Sequence, residues 1–122
     1  MDPAARENAL ATVPRIGAGE AMRLVEAEGA VLVDVREAEE LARTGRLSGA
    51  LHIPLGAVPL RAADELPRDR PILLYCAAGV RSAIAGKALQ ELGYGCVLNL
   101  GGFAEAAQAG MPTEPAGAWR GE

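Results

Sequence analysis

Apolar residues recur with a helical period early in the chain and then give way to short continuous runs. Over Ala18–Glu28 they fall on one face, and Gly29 follows as a stop, which predicts a helix. Residues 31–35 form an apolar run that ends in polar residues, which is typical of a buried strand. Weaker patterns predict short strands over residues 14–16 and 51–54 and helical segments over residues 37–43 and 55–65, the second interrupted by Pro59.

The strongest pattern lies in the second half of the chain. Residues 72–75 predict an apolar strand, residues 81–92 a helix and residues 97–100 another strand, which together form a βαβ unit. The predicted apolar stripe of this helix consists of Ala85, Ala88, Leu89 and Leu92. Gly101-Gly102 then turns into a last short helix. Strands that alternate with helices and are apolar on both faces imply an α/β fold, with a mainly parallel sheet and helices on both faces.

The length of 122 residues is ordinary for one domain with its own core. We expect the domain to span residues 14–112. Residues 1–13 are expected to form an N-terminal extension. Residues 113–122 show no period and are expected to be a flexible tail.

Composition excludes several classes of function. The chain is 50% hydrophobic and 23% charged, as in a water-soluble globular protein, and no apolar stretch is long enough to cross a membrane. The first fifteen residues contain charges and no apolar core, so they do not predict a secretory signal, and a cytoplasmic location is expected. A net charge of −4, scattered basic residues and four aromatic residues argue against a nucleic-acid partner.

Two cysteines and one histidine are too few for a structural zinc site, and their spacing indicates neither a disulfide framework nor any metal. No cofactor is expected. A strand-end cysteine is by itself most often a buried core residue.

The context of Cys76 favours chemistry instead. Cys76 ends the strand over residues 72–75, and small residues follow before the next helix, so backbone N–H groups and a helix N-terminus point at its sulfur. Together with the Arg81 guanidinium these groups predict a lowered pKa for the Cys76 thiol. Cys76 is the candidate nucleophile, and the candidate binding residues are Ala77, Ala78, Gly79, Val80, Arg81 and Ser82.

Cysteine phosphatases also place a thiolate in a loop closed by an arginine, with five residues between the two. Here four residues separate Cys76 from Arg81. The shorter loop suits the single outer sulfur of a persulfide better than a tetrahedral oxyanion.

Four patterns occur in order along the chain. They are Val33-Asp34-Val35-Arg36-Glu37, Gly49-Ala50-Leu51-His52-Ile53-Pro54, the loop from Tyr75 to Ser82, and Leu100-Gly101-Gly102-Phe103 with the later Gly110-Met111-Pro112. In this order they resemble the rhodanese-like family of single-domain sulfurtransferases, from about Pro14 to Pro112. The resemblance implies a single doubly wound, five-stranded, mainly parallel sheet.

The resemblance also implies an activity. Cys76 would accept a sulfane sulfur from a small anionic donor such as thiosulfate and pass it from the persulfide to a thiophilic acceptor such as cyanide. The amides of residues 77–82 would stabilise the outer sulfur, and Arg81 would orient the donor. No cofactor is implied.

Other residues receive structural interpretations. Asp34 and Arg36 are expected to pair at the strand ends, and His52 to be a satisfied strand histidine rather than a proton shuttle. Cys96 is expected to be a small core residue, too far from Cys76 for a disulfide. Three departures from the family pattern are Arg46-Leu47-Ser48 in place of His-Ile-Pro, Ala106 in place of a tryptophan, and the small pair Ala77-Ala78.

Three alternatives stay open at this point. The protein could be a persulfide relay whose acceptor is a sulfur-accepting partner protein. It could be a cysteine phosphatase or arsenate reductase, which the loop length disfavours. It could be a catalytically silent interaction domain, which the intact cysteine disfavours.

Overall fold

The computed structural model describes residues 2–116. The helices in this part of the chain are α1 (Pro3–Thr12), α2 (Ala18–Glu28), α3 (Ala38–Thr44), α4 (Val58–Glu65), α5 (Val80–Glu91) and α6 (Phe103–Gln108), with a 3-10 turn at Leu55–Ala57. The strands are β1 (Val31–Asp34), β2 (Arg46–Leu47), β3 (Leu51–His52), β4 (Ile72–Cys76), β5 (Val97–Gly102) and β6 (Thr113–Glu114).

Four strands form one parallel sheet in the order β3-β1-β4-β5. Arg15 adds a single parallel bridge to Asn99 on the outer side of β5. The predicted α/β class with a mainly parallel sheet is therefore confirmed, although the fifth strand is reduced to one bridging residue. Proline at position 14 has no N–H to donate and α2 begins at Ala18, so this segment is too short to pair further.

Side chains of β4 alternate between two buried layers, one on each face of the sheet. Ile72, Leu74 and Cys76 face the layer that contains Leu89 of α5. Leu73 and Tyr75 face the other layer, together with Leu24 of α2 and Ala106 of α6. Because both faces are covered, β4 is buried along its whole length, as the continuous apolar run predicts.

The N-terminal extension contains a helix that periodicity did not predict. Helix α1 packs on α5, and both Ala9 and the following Val13 are buried. Gly86 of α5 permits this approach, since a Cβ there would lie 2.8 Å from Val13 Cγ1. The stripe predicted for α5 is accordingly incomplete, because Gly86 is buried whereas Leu92 is 42% exposed.

The prediction that Cys96 is a core residue is wrong, because its side chain is exposed. Cys96 lies in the turn before β5, and only its backbone is tied to the sheet, through a carbonyl that accepts the Ile72 N–H at 2.9 Å. Strand β5 begins at Val97, whose side chain enters the core.

Thr113 and Glu114 begin the segment predicted as a tail, and they pair antiparallel with β2. Residues 117–122 of that segment lie outside the described residues. Among the helices of the described part, none is long and apolar enough to cross a membrane.

Candidate active site

The candidate site lies where β4 ends and α5 begins, at the carboxyl edge of the parallel sheet. Cys76 is the last residue of β4, pairs in register with Gly102 and is 1% exposed. Gly79 precedes the first residue of α5 as its N-cap, with φ of 100°. The loop therefore wraps the sulfur within three residues, and the helix begins directly beside it.

The Cys76 sulfur is surrounded by hydrogen-bond donors of this loop. The Gly79 N–H donates to Sγ at 3.0 Å, and the Ser82 Oγ lies 3.5 Å from Sγ. Burial raises the pKa of the thiol, but hydrogen bonds from Ser82, through its hydroxyl and its backbone N–H, act in the opposite direction. The N–H groups of Ala78 and Gly79 add to them, and the resulting pKa lies below the ordinary value of a thiol, as predicted.

Two glycines allow the loop to pack this closely. Gly79 has a positive φ that other residues rarely adopt, and a Cβ there would lie 3.4 Å from Gly101 Cα. At Gly102 a Cβ would lie only 2.5 Å from the carbonyl oxygen of Ala77. The double glycine at the end of β5 thus forms the surface against which the cysteine loop rests.

Asn99 of β5 supports the loop from behind, a role that the sequence analysis missed. Its Oδ1 accepts hydrogen bonds from the Ser82 hydroxyl at 2.7 Å and from the Gly101 N–H at 2.9 Å. Its Nδ2 donates to the Gly79 carbonyl at 2.9 Å. Because Asn99 and Ser82 are 17 positions apart, local pattern gives no signal for this contact.

Arg81 lies in the first turn of α5 and is paired with Glu40 of α3. Its Nη1 and Nη2 donate to the two carboxylate oxygens at 2.7 and 2.8 Å. This pairing holds the pKa of Glu40 at about 2 and raises that of Arg81, to which the negative charge of Cys76 also contributes. Glu40 in addition accepts the Glu37 N–H at 2.8 Å, which fixes it at the start of α3.

Comparison with known proteins decides the family. The protein-family model of the rhodanese-like domain matches residues 17–109. The chain belongs to the rhodanese-like family. A sulfurtransferase of Allochromatium vinosum is 42% identical over 91 residues, which cover 74% of this chain and 83% of that protein. Thiosulfate sulfurtransferase GlpE of Actinobacillus succinogenes is 34% identical over 94 residues, which cover 76% of this chain and 83% of that protein.

A solved structure from Rhodopseudomonas palustris, described as a protein of unknown function and possible tyrosine phosphatase, is similar to this chain with a TM-score of 0.78. The two sequences are 28% identical, and the match covers 91% of this chain and 92% of that one. The solved rhodanese-like domain of the Alr3790 protein from Anabaena is also similar, with a TM-score of 0.75 and 26% identity over 89% of this chain and 85% of that one, so the rhodanese-like fold accounts for nearly all of the described residues.

In this rhodanese-like domain the predicted binding residues differ in exposure. Gly79 and Ser82 are buried beside the sulfur, whereas Val80 is half-buried. Ala77 and Ala78 are exposed and leave the outer side of the loop without large side chains. The outer side of the loop thus carries only small exposed side chains, while the sulfur itself is buried beneath it.

The predicted pairing of Asp34 with Arg36 is confirmed. The Arg36 guanidinium donates to both carboxylate oxygens of Asp34, at 2.8 to 3.2 Å, and also to Thr44 Oγ1 and the Gly45 carbonyl at 2.8 Å. It lies 4.5 Å from the centre of the Phe103 ring. The His52 Nε2 is 2.7 Å from the Arg36 carbonyl oxygen, in keeping with a structural histidine.

The departures from the family pattern leave well-packed local structure. Leu47 is fully buried, and its N–H donates to the Tyr75 hydroxyl at 3.0 Å. Arg46 pairs with Glu114 at 3.2 Å across the β2–β6 ribbon. Ala106 is buried in the layer below Tyr75.

The described residues contain no group of three or more His, Cys, Asp and Glu side chains that could hold a metal ion. The reactive groups that the loop presents are the Cys76 sulfur, the backbone amides around it and the Arg81 guanidinium.

Proposed function

We propose that this protein is a sulfurtransferase that moves a sulfane sulfur from thiosulfate, or a similar small anionic donor, to cyanide or another thiophilic acceptor through a Cys76 persulfide. One observation carries the proposal, which is the set of donors within reach of the Cys76 sulfur, with the Gly79 N–H at 3.0 Å. These donors lower the pKa of the thiol despite its burial, which favours the nucleophilic thiolate form.

In the first step the Cys76 thiolate attacks the outer sulfur of thiosulfate. A bond forms between the two sulfurs, the bond from the outer sulfur to the sulfonate sulfur breaks, and sulfite leaves with the electron pair. Cysteine thiolate and thiosulfate thus become cysteine persulfide and sulfite, and the total charge is unchanged. Loop amides that stabilise one anionic sulfur are suited to the persulfide, whose charge lies on its outer sulfur.

In the second step the acceptor attacks the outer sulfur, and the Cys76 sulfur leaves as a thiolate. With cyanide the product is thiocyanate, and the loop returns to its starting state. Both steps need the same feature, a site that stabilises negative charge on sulfur.

Arg81 is proposed to attract and orient the donor, because a thiolate and a dianion repel each other without a nearby cation. A guanidinium has five N–H donors, and the pairing with Glu40 engages two of them. Glu40 would hold the Arg81 guanidinium in place while the remaining N–H donors of Arg81 face the anion.

Phosphatase activity is disfavoured for this chain. One structural neighbour is described as a possible tyrosine phosphatase, but here only four residues separate Cys76 from Arg81, one fewer than in cysteine phosphatases. We expect no hydrolysis of an aryl phosphate.

The acceptor decides between a dedicated enzyme and a relay. Ala77 and Ala78 are small and exposed, so neither a small acceptor nor a thiol on a partner protein would meet a large side chain of the loop. Thiocyanate formation that is slow beside transfer to a protein thiol would favour the relay.

The test is the intact mass of the protein after incubation with thiosulfate, followed by cyanide and an assay for thiocyanate. The wild type is compared with Cys76→Ser and with Cys96→Ser as the matched control. Cys96 is the more exposed thiol, so non-specific labelling would occur there first.

The proposal predicts that the wild type and Cys96→Ser gain one sulfur atom, that cyanide removes it, and that Cys76→Ser gains none. Turnover that persists in a folded Cys76→Ser variant would refute the assignment of the nucleophile.

A further inference from the structure

Asn99 is a buried amide whose orientation is fixed by two backbone partners. It is 1% exposed, accepts the Gly101 N–H on Oδ1 and donates from Nδ2 to the Gly79 carbonyl. A backbone N–H can only donate and a carbonyl can only accept, so a flipped amide would lose both bonds. The atom that faces the Ser82 hydroxyl, 2.7 Å away, is therefore an acceptor.

Ser82 has one hydroxyl proton and two neighbours that can accept it. Its Oγ lies 2.7 Å from Asn99 Oδ1 and 3.5 Å from Cys76 Sγ. When Cys76 is a thiol, its S–H can donate to Ser82 while Ser82 donates to Asn99, and all three groups are satisfied. When Cys76 is a thiolate, both neighbours are acceptors, and the single proton can serve only one of them.

We propose that Asn99 is a positioning residue that competes with the Cys76 sulfur for the Ser82 proton and thereby sets how readily this sulfur carries negative charge. The inference rests on the proposed function in so far as Cys76 is the nucleophile. In the free thiolate the proton turns towards Sγ, and in the persulfide, where the charge has moved to the outer sulfur, it turns back to Asn99. The hydroxyl only rotates, so no proton leaves Ser82 and no electrons move through it.

The rotation also assists the discharge step. When an acceptor removes the outer sulfur, negative charge returns to Sγ, and the Ser82 proton can follow it from Asn99. The Ser82 hydroxyl thus donates to Asn99 while the Cys76 sulfur is neutral, and it can turn to that sulfur when the sulfur leaves as a thiolate.

Charged groups near the loop must be held constant in a test, and of these Arg81 interacts with the charge of Cys76. These are Arg81 on α5, its partner Glu40 and the nearby Glu37 at the start of α3, Arg15 behind Gly79 with its partner Glu105, and the Asp34–Arg36 pair at the end of β1. Substitutions at Asn99 and Ser82 leave all of them unchanged.

The experiment is a double-mutant cycle in a Cys96→Ser background, where Cys76 is the one remaining thiol. The thiolate absorbance in the ultraviolet is titrated against pH for the parent, Asn99→Ala, Ser82→Ala and the double variant. We expect Ser82→Ala to raise the titration midpoint, because a donor is lost. We expect Asn99→Ala to lower it by about one pH unit, giving about tenfold more thiolate below the midpoint.

The sign and the dependence on Ser82 separate the proposal from a merely structural role. With Ser82→Ala in place, Asn99→Ala should no longer lower the midpoint. If Asn99 only anchored the loop, its removal would raise the midpoint by the same amount in both backgrounds, and that result would overturn the proposal.

Asn99→Asp keeps the acceptor and serves where Asn99→Ala does not fold, as judged by circular dichroism. It should raise the midpoint, and by less when Ser82 is alanine, because only the direct effect of the charge then remains. An equal rise in both backgrounds would contradict the competition. The titration needs no sulfur donor, so a failure of thiosulfate loading in a parallel assay would count against the proposed function alone.

Discussion

Individual groups around Cys76 have opposing effects on the charge of its sulfur. Burial disfavours the thiolate, whereas the Gly79 N–H and the Ser82 groups favour it, and the balance lies with the donors. Arg81 adds a positive charge that is shared with Glu40. Local donors therefore favour the negative charge on the sulfur, which leaves the proposed role of Arg81 as binding of the anionic donor.

Replacing Arg81 should affect the anionic donor more than the thiolate. We expect Arg81→Ala to raise KM for thiosulfate about tenfold, because a charge-assisted contact is lost. Alkylation of Cys76 by the neutral reagent iodoacetamide should change by no more than about twofold. The control is Arg43→Ala, which removes an exposed arginine of α3, and an equal KM change in both variants would argue against a specific role for Arg81.

Gly79 determines the conformation of the loop, because its φ of 100° is costly for any other residue. We expect Gly79→Ala to lower the free energy of unfolding by about 1–2 kcal/mol and to abolish sulfur loading, since the N–H at 3.0 Å from the sulfur would move. Gly110→Ala is the matched control, with φ of 107° and no atom within 4 Å of the added Cβ. It should show a similar stability loss with normal loading in the intact-mass assay.

At the scale of elements, the ion pair between Glu40 and Arg81 joins the start of α3 to the start of α5. Glu40 also closes the capping box of α3, so one carboxylate fixes two helix ends. The loop between β4 and α5 is thereby held from α3 on one side and from Asn99 of β5 on the other.

The Glu40 pairing predicts a pH-dependent stability. Its pKa is lowered from 4.5 to about 2 in the folded protein, so the stabilisation is complete above the unfolded value and is lost as pH falls from about 4.5 towards 2. We expect Glu40→Gln, which keeps the cap, to lower the free energy of unfolding by about 1 kcal/mol at pH 7. Denaturant titrations should show this difference disappear at low pH, and Glu39→Gln, an exposed neighbour, should show none at either pH.

Several elements could be predicted because their signals are local. The period over Ala18–Glu28 and the stop at Gly29 gave the correct bounds of α2, and the apolar run before Cys76 gave β4. Helix α1 has start signals in the sequence, since Asp2 caps it and Pro3 stands at its first position, but its apolar face is too short for a clear period and is buried by packing on α5. Cys96 was misplaced since residue type alone does not tell a turn from the strand that follows it.

The candidate site likewise has features that local sequence predicts and others that it does not. The loop and the lowered pKa of Cys76 follow from consecutive residues, whereas Glu40 and Asn99 contact the loop from 41 and 17 positions away. Such contacts depend on how strands and helices pack, which no local period encodes.

At the scale of the molecule, the N-terminal helix is part of the packed structure. Ala9 and Val13 are buried against α5, the helix that begins beside the candidate active-site loop. The proposed domain over residues 14–112 would therefore expose a face of α5 if it stood alone.

We expect a chain lacking residues 1–12 to be less stable by roughly 2 kcal/mol, from about 25 cal/mol per Å² over on the order of 100 Å² of apolar surface. Sulfur loading under native conditions should be retained, because none of the hydrogen bonds and ion pairs of the described loop residues involves α1. Thermal unfolding beside the intact-mass assay provides the measurement, and an unchanged midpoint would mean that α1 contributes nothing to the fold.

Both edge strands of the parallel sheet leave few backbone groups free for pairing. Strand β3 pairs over two residues, and on the outer side of β5 both backbone groups of Asn99 are bonded to the Pro14–Ile16 segment, while the Gly101 N–H donates to the Asn99 side chain. A second molecule would find little free strand backbone to join, and longer open edges are where folded proteins begin to aggregate. This domain should therefore resist edge-to-edge association when it accumulates to high concentration.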